Sequence, residues 1–257
     1  MRVSIITVVF NGEASICDSI QSVLSQGYED IELIVIDGSS TDRTLEVIRR
    51  YNKQIDVLVS EPDDGIYDAM NKGIGLASGD IVGFLNSDDF FADESVIIRV
   101  AEEFERENVD SVFGDLTYVS AIDPARVIRT WKSSPHLLNA FRSGWHPAHP
   151  TFYAKKSVYE DYGGFDTSLS ISADFELMLR FLDVHGVSSS YIPEVLVRMR
   201  TGGESNQSLR NIYLGNSQIY AAFRKHGIEV PRLYFMKRML AKLRQFRFGQ
   251  RIPGTSA

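Results

Sequence analysis

Short apolar runs alternate with amphipathic stretches through the first hundred residues. Val3–Phe10 is a β-branched run of strand length, and Ile16, Ile20, Val23 and Leu24 recur at helical spacing across Ser15–Ser25. Ile31–Ile36 predicts a second strand, ending in Asp37-Gly38-Ser39-Ser40. Thr41-Asp42 then opens a helix through about Arg50, with side-chain oxygens available to cap its first turn. A strand over Ile55–Val59, a helix over Ile66–Ala77 and a strand over Ile81–Leu85 continue the alternation. Repeated β-α units with short connections predict an α/β fold with a mostly parallel central sheet and helices on both faces.

The pattern becomes less regular after about residue 110. Ser111–Ser120 and Val127–Trp131 read as strands in a region rich in turns and aromatics. A helix begins near Lys155, Gly163-Gly164-Phe165-Asp166 makes a turn, Ser172–His185 reads as a helix, and Ser189–Arg200 as a strand. Tyr213, Ile219, Tyr220 and Phe223 read as helix packing residues. No linker rich in Pro, Gly or Ser interrupts the chain and no repeat is visible. Residues 1–230 therefore predict a single domain, with a nucleotide-binding half over about 1–110 and an acceptor half over about 111–210. Residues 231–257 form a tail.

Composition adds exclusions. Of 257 residues, 44% are hydrophobic and 24% charged, an ordinary globular balance. The one cysteine, Cys17, rules out an internal disulfide framework and a Cys-based zinc site, and suits a reducing compartment. Met1–Phe10 alternates apolar residues with Ser and Thr and reads as a buried strand rather than a leader. No run approaches the roughly 18 apolar residues of a membrane span, so the cytoplasm is the expected location. Charge is uneven: residues 231–257 carry seven Lys and Arg and no acid. The net charge of −7 therefore leaves −14 on the remainder, an acidic body that argues against nucleic acid as a partner.

The candidate chemistry lies at strand ends. Ile81–Leu85 runs into Asn86-Ser87-Asp88-Asp89, and two adjacent acids at the mouth of a buried strand repel unless a cation lies between them. Hard carboxylate oxygens favour Mg²⁺ or Mn²⁺. Asn11 follows the first predicted strand, Asp37 the second, and Asp88 and Asp89 the fourth. In open α/β sheets that shared edge is where ligands bind. His146 and His149 lack a third partner and make a poor zinc site.

These stretches together resemble the family 2 inverting glycosyltransferases of the GT-A fold, the Rossmann-like nucleotide-diphospho-sugar transferase fold, over roughly residues 3–206. The matching segments are Ser4–Asn11, Ile34–Asp42, Asp64–Gly73, Leu85–Asp89, His149–Phe152 and Ala173–Glu176. The likeness is to bacterial enzymes of exopolysaccharide and lipopolysaccharide assembly. It implies that Val9 and Phe10 lie beside the base of a nucleotide-sugar and that Asp37 accepts an N–H from that base. It also places Asn11, Asn71, Asp88 and His149 at the donor, Asp88 and Asp89 on Mn²⁺ or Mg²⁺ in the DxD region, and Asp174 as general base. Two departures stand out: Asn86 replaces the usual first acid of the DxD motif, and Met70 replaces an Arg before Asn71. The Gln-x-x-Arg-Trp motif and spans of processive synthases are missing, which implies addition of a single sugar.

The resemblance implies transfer of one sugar from a nucleotide-diphosphate donor to a saccharide acceptor hydroxyl with inversion. A nucleotidyltransferase and a catalytically silent nucleotide-sugar-binding protein are the alternatives. The first ordinarily has a Gly-rich, basic phosphate loop where Asn11-Gly12-Glu13-Ala14 stands. The second has no need of Asp37, Asp88, Asp89 and Asp174 together. In the tail, Leu233, Tyr234, Phe235, Met236, Met239, Leu240, Leu243 and Phe246 interleave with the basic residues. A basic amphipathic helix of this kind predicts peripheral contact with the inner-membrane surface and suits a lipid-linked acceptor.

Overall fold

Four parallel strands form the first half of the sheet: β1 (Val3–Val9), β2 (Ile31–Asp37), β3 (Val57–Ser60) and β4 (Ile81–Phe84), in the order β3-β2-β1-β4. The connecting helices are α1 (Ile16–Leu24), α2 (Thr44–Arg49) and α3 (Ile66–Leu76). In this computed structural model, residues 1–201 and 209–243 are described. The Gly202–Asn206 segment, which reads from sequence as a loop closing over diphosphate, lies outside the described residues, as does the tail from residue 244.

Beyond β4 the sheet is mixed rather than parallel. The chain continues through β5 (Phe90–Phe91), α4 (Val96–Glu107), β6 (Ser111–Val119), β7 (Val127–Trp131), β8 (Tyr153–Lys155) and α5 (Lys156–Tyr162). It then runs through α6 (Ala173–Leu179), β9 (Ser189–Arg200), α7 (Leu209–Lys225) and α8 (Tyr234–Leu243). β8 lies antiparallel between β4 and β6, β9 runs parallel to β6, and β5 pairs antiparallel with β9 at the far edge. β7 folds back on β6 as a hairpin. Only five residues connect β4 to β5, four strand positions away, and a turn closed by Asp89 N to Asn86 O (3.0 Å) shortens that path. A flat sheet would need about 19 Å there. The sheet curls instead, and the carboxylate loop crosses its open end.

Helices cover both faces. α1 and α4 present Ile16, Ile20, Val23, Ile97, Val100 and Phe104 to one face, against Val3, Ile5, Leu33 and Val35. α3, α5, α6 and α7 cover the other, around Ile6, Ile34, Phe84 and Phe113. α3 lies close on β1 because Gly73 has no Cβ; one placed there would collide with the Ile6 side chain. α2 starts later than the sequence predicts. Asp42 accepts both the amide (2.9 Å) and the hydroxyl (2.5 Å) of Thr44, a local turn that competes with the helix.

The long predicted helix over Ser172–His185 is α6 followed by a π-helical segment, Arg180–Val184. Glu176 on α6 is fully buried and anchors an ionic cluster. It accepts from Arg180 Nε (3.2 Å), Lys225 Nζ (3.0 Å) and pairs with His226 Nε2 (2.8 Å), while Arg180 also donates to the carbonyls of Tyr162, Gly163 and Gly164. The tail begins inside this packing. Tyr234 is fully buried against Phe223, at 5.2 Å between rings, while Leu233, Met236 and Met239 are exposed. The start of the basic helix is thus docked on the domain by one face.

The ionic cluster generates a stability prediction. Burial pushes the Glu176 carboxyl up, but Arg180, His226 and Lys225 overcome this and hold it below its ordinary value. Lys225 and Ser168 hold Asp166 down to about 2. Depressed folded-state values give stability that is complete above the ordinary carboxylate range and is lost as pH falls through the folded values. Glu176→Ala leaves the buried Arg180 guanidinium without its carboxylate and is expected to cost about 3–5 kcal/mol in urea unfolding at neutral pH, with the deficit shrinking on acidification.

Candidate functional site

Parallel pairing delivers the ends of β1, β2 and β4 to one edge, and short contacts lock the three loops together. Val9 is directly opposite Asp37 in the β1–β2 register. Asn11, in the left-handed region at φ 52°, receives Thr41 N–H on its side-chain oxygen (2.9 Å), and its own amide donates to Ser40 Oγ (2.8 Å). The next residue, Gly12, approaches the carboxylate loop closely: a Cβ there would lie 3.4 Å from Ser87 Oγ. Phe10 leaves its ring 64% exposed beside this junction, an uncommon placement for so large an apolar group.

Asp37 is fully buried at the end of β2. Its carboxylate accepts from Ser60 Oγ at 2.7 Å and, at longer range, from Ser40 N (3.3 and 3.2 Å). The charge is held by local donors at the edge while one oxygen keeps only a long bond.

Asp89 is also fully buried, and its neighbour Asp88 is half-buried. Asn86 Nδ2 donates to Asp89 Oδ2 at 3.1 Å. Asp89 Oδ1 and Asn86 Oδ1 are buried without a hydrogen-bond partner. Burial, then the charge of Asp88, pushes the Asp89 carboxyl well up, and burial raises Asp88 as well. Arg200, at the end of β9, opposes both shifts. It donates to Asp88 O (2.9 Å) and to Asp18 Oδ2 (2.5 Å) and lies over the Phe90 ring at 5.0 Å. The helix after this loop begins only at Val96, so Asp88 does not cap it.

Asp174 opens α6 from the opposite side of the cleft. It is half-buried, whereas its neighbours Ala173 and Phe175 are buried. Tyr67 Oη donates to Asp174 Oδ1 (3.3 Å) and to Ile171 O (2.8 Å). Two residues along a helix turn a side chain by about 200°, which sends Glu176 into the ionic cluster and leaves Asp174 facing outward. His149 lies nearby in a 3₁₀ turn, packed on Phe84 and Phe165, each at 5.3 Å. Burial holds its imidazole below the ordinary value, with Asp174 partly opposing. His146 instead faces Trp131 and Phe175, so the two histidines do not share a ligand set.

The two acidic groups act on one hydroxyl. Burial raises the Tyr118 phenol, Arg129 lowers it, and Asp89 and Asp174 both raise it further. Tyr118 lies on β6 with Arg129 opposite it on β7. Arg129 lies over that ring at 4.0 Å and beside Trp131 at 5.8 Å.

Asn71 is placed differently from the others. Its amide donates to Phe165 O (2.9 Å) and its oxygen accepts Phe165 N–H (2.8 Å), so both polar atoms tie α3 to the turn before α6. Met70 is buried in the core and brings no cation to the cleft. Tyr67, Tyr118, Arg129 and Arg200 were not singled out by sequence reasoning. Tyr67 lies inside the Asp64–Gly73 segment, and Arg200 ends the strand before Gly202-Gly203; the other two carry no motif signal.

Hard oxygens without partners are the chemistry that suits a divalent cation. Among the described residues no group of three or more His, Cys, Asp or Glu side chains gathers into a metal cage. Asp88, Asp89 and the Asn86 amide oxygen are the groups at this edge that could hold a divalent cation. Among the same residues no helix is long and apolar enough to cross a membrane.

Comparison with known proteins agrees with this arrangement. The profile of glycosyl transferase family 2 matches residues 4–163. An uncharacterised glycosyltransferase of Mycobacterium tuberculosis is 34% identical over 182 residues, 69% of this chain and 68% of its own length. A PGL/p-HBAD biosynthesis glycosyltransferase of Mycobacterium bovis is 26% identical over 215 residues, 79% and 78% of the two chains. S. aureus TarS in complex with UDP-GlcNAc superimposes with a TM-score of 0.69 at 17% identity, over 92% of this chain and 69% of that one. The mannosyltransferase PcManGT from Pyrobaculum calidifontis, in complex with GDP-Man and Mn²⁺, gives 0.65 at 19% identity, over 93% and 68%. These likenesses establish the GT-A fold.

The Asn71 tie is testable apart from activity. Asn71→Leu strands the Phe165 amide and carbonyl and is expected to lower unfolding free energy by about 2–4 kcal/mol. A change below about 0.5 kcal/mol, the range of ordinary surface substitutions, would show that the tie is not maintained in solution.

Proposed function

The chain belongs to glycosyl transferase family 2, and from that premise we propose that it transfers one sugar from a nucleotide-diphosphate donor to a saccharide hydroxyl with inversion. The acceptor is lipid-linked, the site of action is the cytoplasmic face of the membrane, and the product enters a bacterial surface polysaccharide. One observation carries the reading: the buried, partnerless oxygens of Asn86 and Asp89 in the loop after β4, at the strand edge where β1 and β2 also end.

In this reading the base of the donor lies on Phe10 and Val9, with Asp37 accepting one of its N–H groups. Asn11 fixes the loop that receives the nucleotide. Asp88 and Asp89, with the Asn86 oxygen beside them, would hold Mn²⁺ or Mg²⁺. When bound, that ion neutralises charge developing on the diphosphate leaving group. Arg200 keeps the carboxylate loop in place through Asp88 O. Asn71 acts at second hand, by fixing the turn that carries Phe165 against His149.

Asp174 takes the proton of the acceptor hydroxyl as its oxygen attacks the anomeric carbon. The new glycosidic C–O bond forms while the bond to the diphosphate breaks on the opposite face, so a single displacement inverts the centre. Tyr67 orients the Asp174 carboxylate from behind. His149, kept neutral by burial, fills the wall between Phe84 and Phe165 next to that carboxylate. Glu176 is not available for a covalent intermediate at this position, because it is committed to Arg180, Lys225 and His226.

The roles separate in two variants. Asp88→Ala is expected to abolish the Mn²⁺-dependent part of donor binding in calorimetry. Asp174→Asn is expected to keep donor binding and lose transfer by about 10²–10⁴-fold. Transfer at the wild-type rate by Asp174→Asn would remove that residue from the chemistry.

A further inference from the structure

Three arginines converge on one groove away from the cleft. It has a volume of about 580 Å³ and is lined by Arg142, Arg224 and Arg232, with Tyr220 and Glu229. The three come from separate parts of the chain: the turn Ala140–Ser143, the last turn of α7, and the approach to α8. Each sits beside an anchored aromatic. Phe141 precedes Arg142, Phe223 precedes Arg224, and Tyr234 follows Arg232 by two residues, all three rings being fully buried. Phe141 and Phe223 both pack on Phe175 at 5.4 Å, and Phe223 meets Tyr234. Phe141, Phe175, Phe223 and Tyr234 thus form one contiguous aromatic layer, adjacent in sequence to Arg142, Asp174 and Arg224.

Among the described residues none of the three forms an ion pair, and Glu229 is the one carboxylate on the groove wall. Arg142 is half-buried and its Nε has no hydrogen-bond partner, while Arg224 and Arg232 are exposed on the same wall. Guanidinium groups match the oxygens of a phosphate in pairs. The rim adds a second character. Leu233, Met236 and Met239, at the start of α8, expose 54%, 48% and 58% of their surface, and Tyr220 exposes 47%. Apolar side chains next to a cationic pocket match the boundary between lipid headgroup and acyl chain.

We propose that this groove is a phosphate site for anionic membrane lipid, with Arg142, Arg224 and Arg232 on the headgroup and Leu233, Met236 and Met239 in the acyl boundary. The site deepens the membrane-surface reading above and rests on it. It sets the enzyme against the leaflet by its α7–α8 side, with the aromatic layer carrying that contact towards the acceptor cleft.

The test is flotation of the full chain with vesicles of phosphatidylglycerol and phosphatidylcholine, or of phosphatidylcholine alone. Wild type is expected to float with the anionic vesicles only and to be released by salt. The triple variant Arg142→Gln, Arg224→Gln, Arg232→Gln is expected to bind about a hundred-fold more weakly, at about 1 kcal/mol per cation. Unchanged donor binding and thermal unfolding in that variant confirm that it is folded. Wild-type flotation by the folded triple variant would overturn the groove and leave the membrane reading standing on the rest of the tail. No flotation of wild type would overturn both. Stabilisation of wild type but not the variant by inorganic phosphate, with no flotation, would assign the groove to a free anion and overturn the lipid.

Discussion

A carboxyl sealed from water at the end of a hydrophobic strand is costly to ionise, and Asp89 occupies that position. Its side chain is fully buried, one oxygen has no donor, and the nearest like charge is the adjacent residue. The domain does not resolve this cost internally: Asn86 supplies one hydrogen bond and Arg200 a partial field through the loop backbone. What remains is suited to a cation brought with a phosphate-bearing ligand. Much of the architecture serves that loop. β4 delivers it, β5 carries the chain on to pair with β9, and the curl of the sheet places the end of β9, with Arg200, beneath it.

The nucleotide half was the more legible part. β1, β2 and α3 match their apolar patterns closely because each is amphipathic or buried in a way its own residues record. The strand ends at Asn11, Asp37 and Asp88-Asp89 fall at one edge because parallel pairing leaves no alternative. β5 was not visible: two residues carry no periodicity, and Phe90–Phe91 becomes a strand only by pairing with residues 197 and 198. The start of α2 was misread because Asp42 caps a turn with Thr44 rather than the helix itself.

The acceptor half was less legible for the same physical reason. Tyr67 reaches Asp174 across 107 residues of chain, and Arg200 reaches Asp88 across 112. No local signal encodes such contacts. The tail shows both limits at once. Its mixture of apolar and basic residues predicts an amphipathic helix, and one forms, but Tyr234 uses one face to join the core while other apolar residues stay outside. The helix that carries Asp174 and the start of the tail thus meet along one aromatic layer, Phe141-Phe175-Phe223-Tyr234.

The central claim concerns a shared site for cation and diphosphate, and metal binding measured with and without nucleotide tests it directly. Titration of the protein with Mn²⁺, followed by electron paramagnetic resonance of the free ion, is to be run alone and with UDP or GDP. Two carboxylates without a full cage predict weak binding alone and markedly tighter binding with one of the nucleotides. Equal Mn²⁺ affinity with and without either nucleotide, together with undiminished nucleotide-sugar binding in EDTA, would contradict the account.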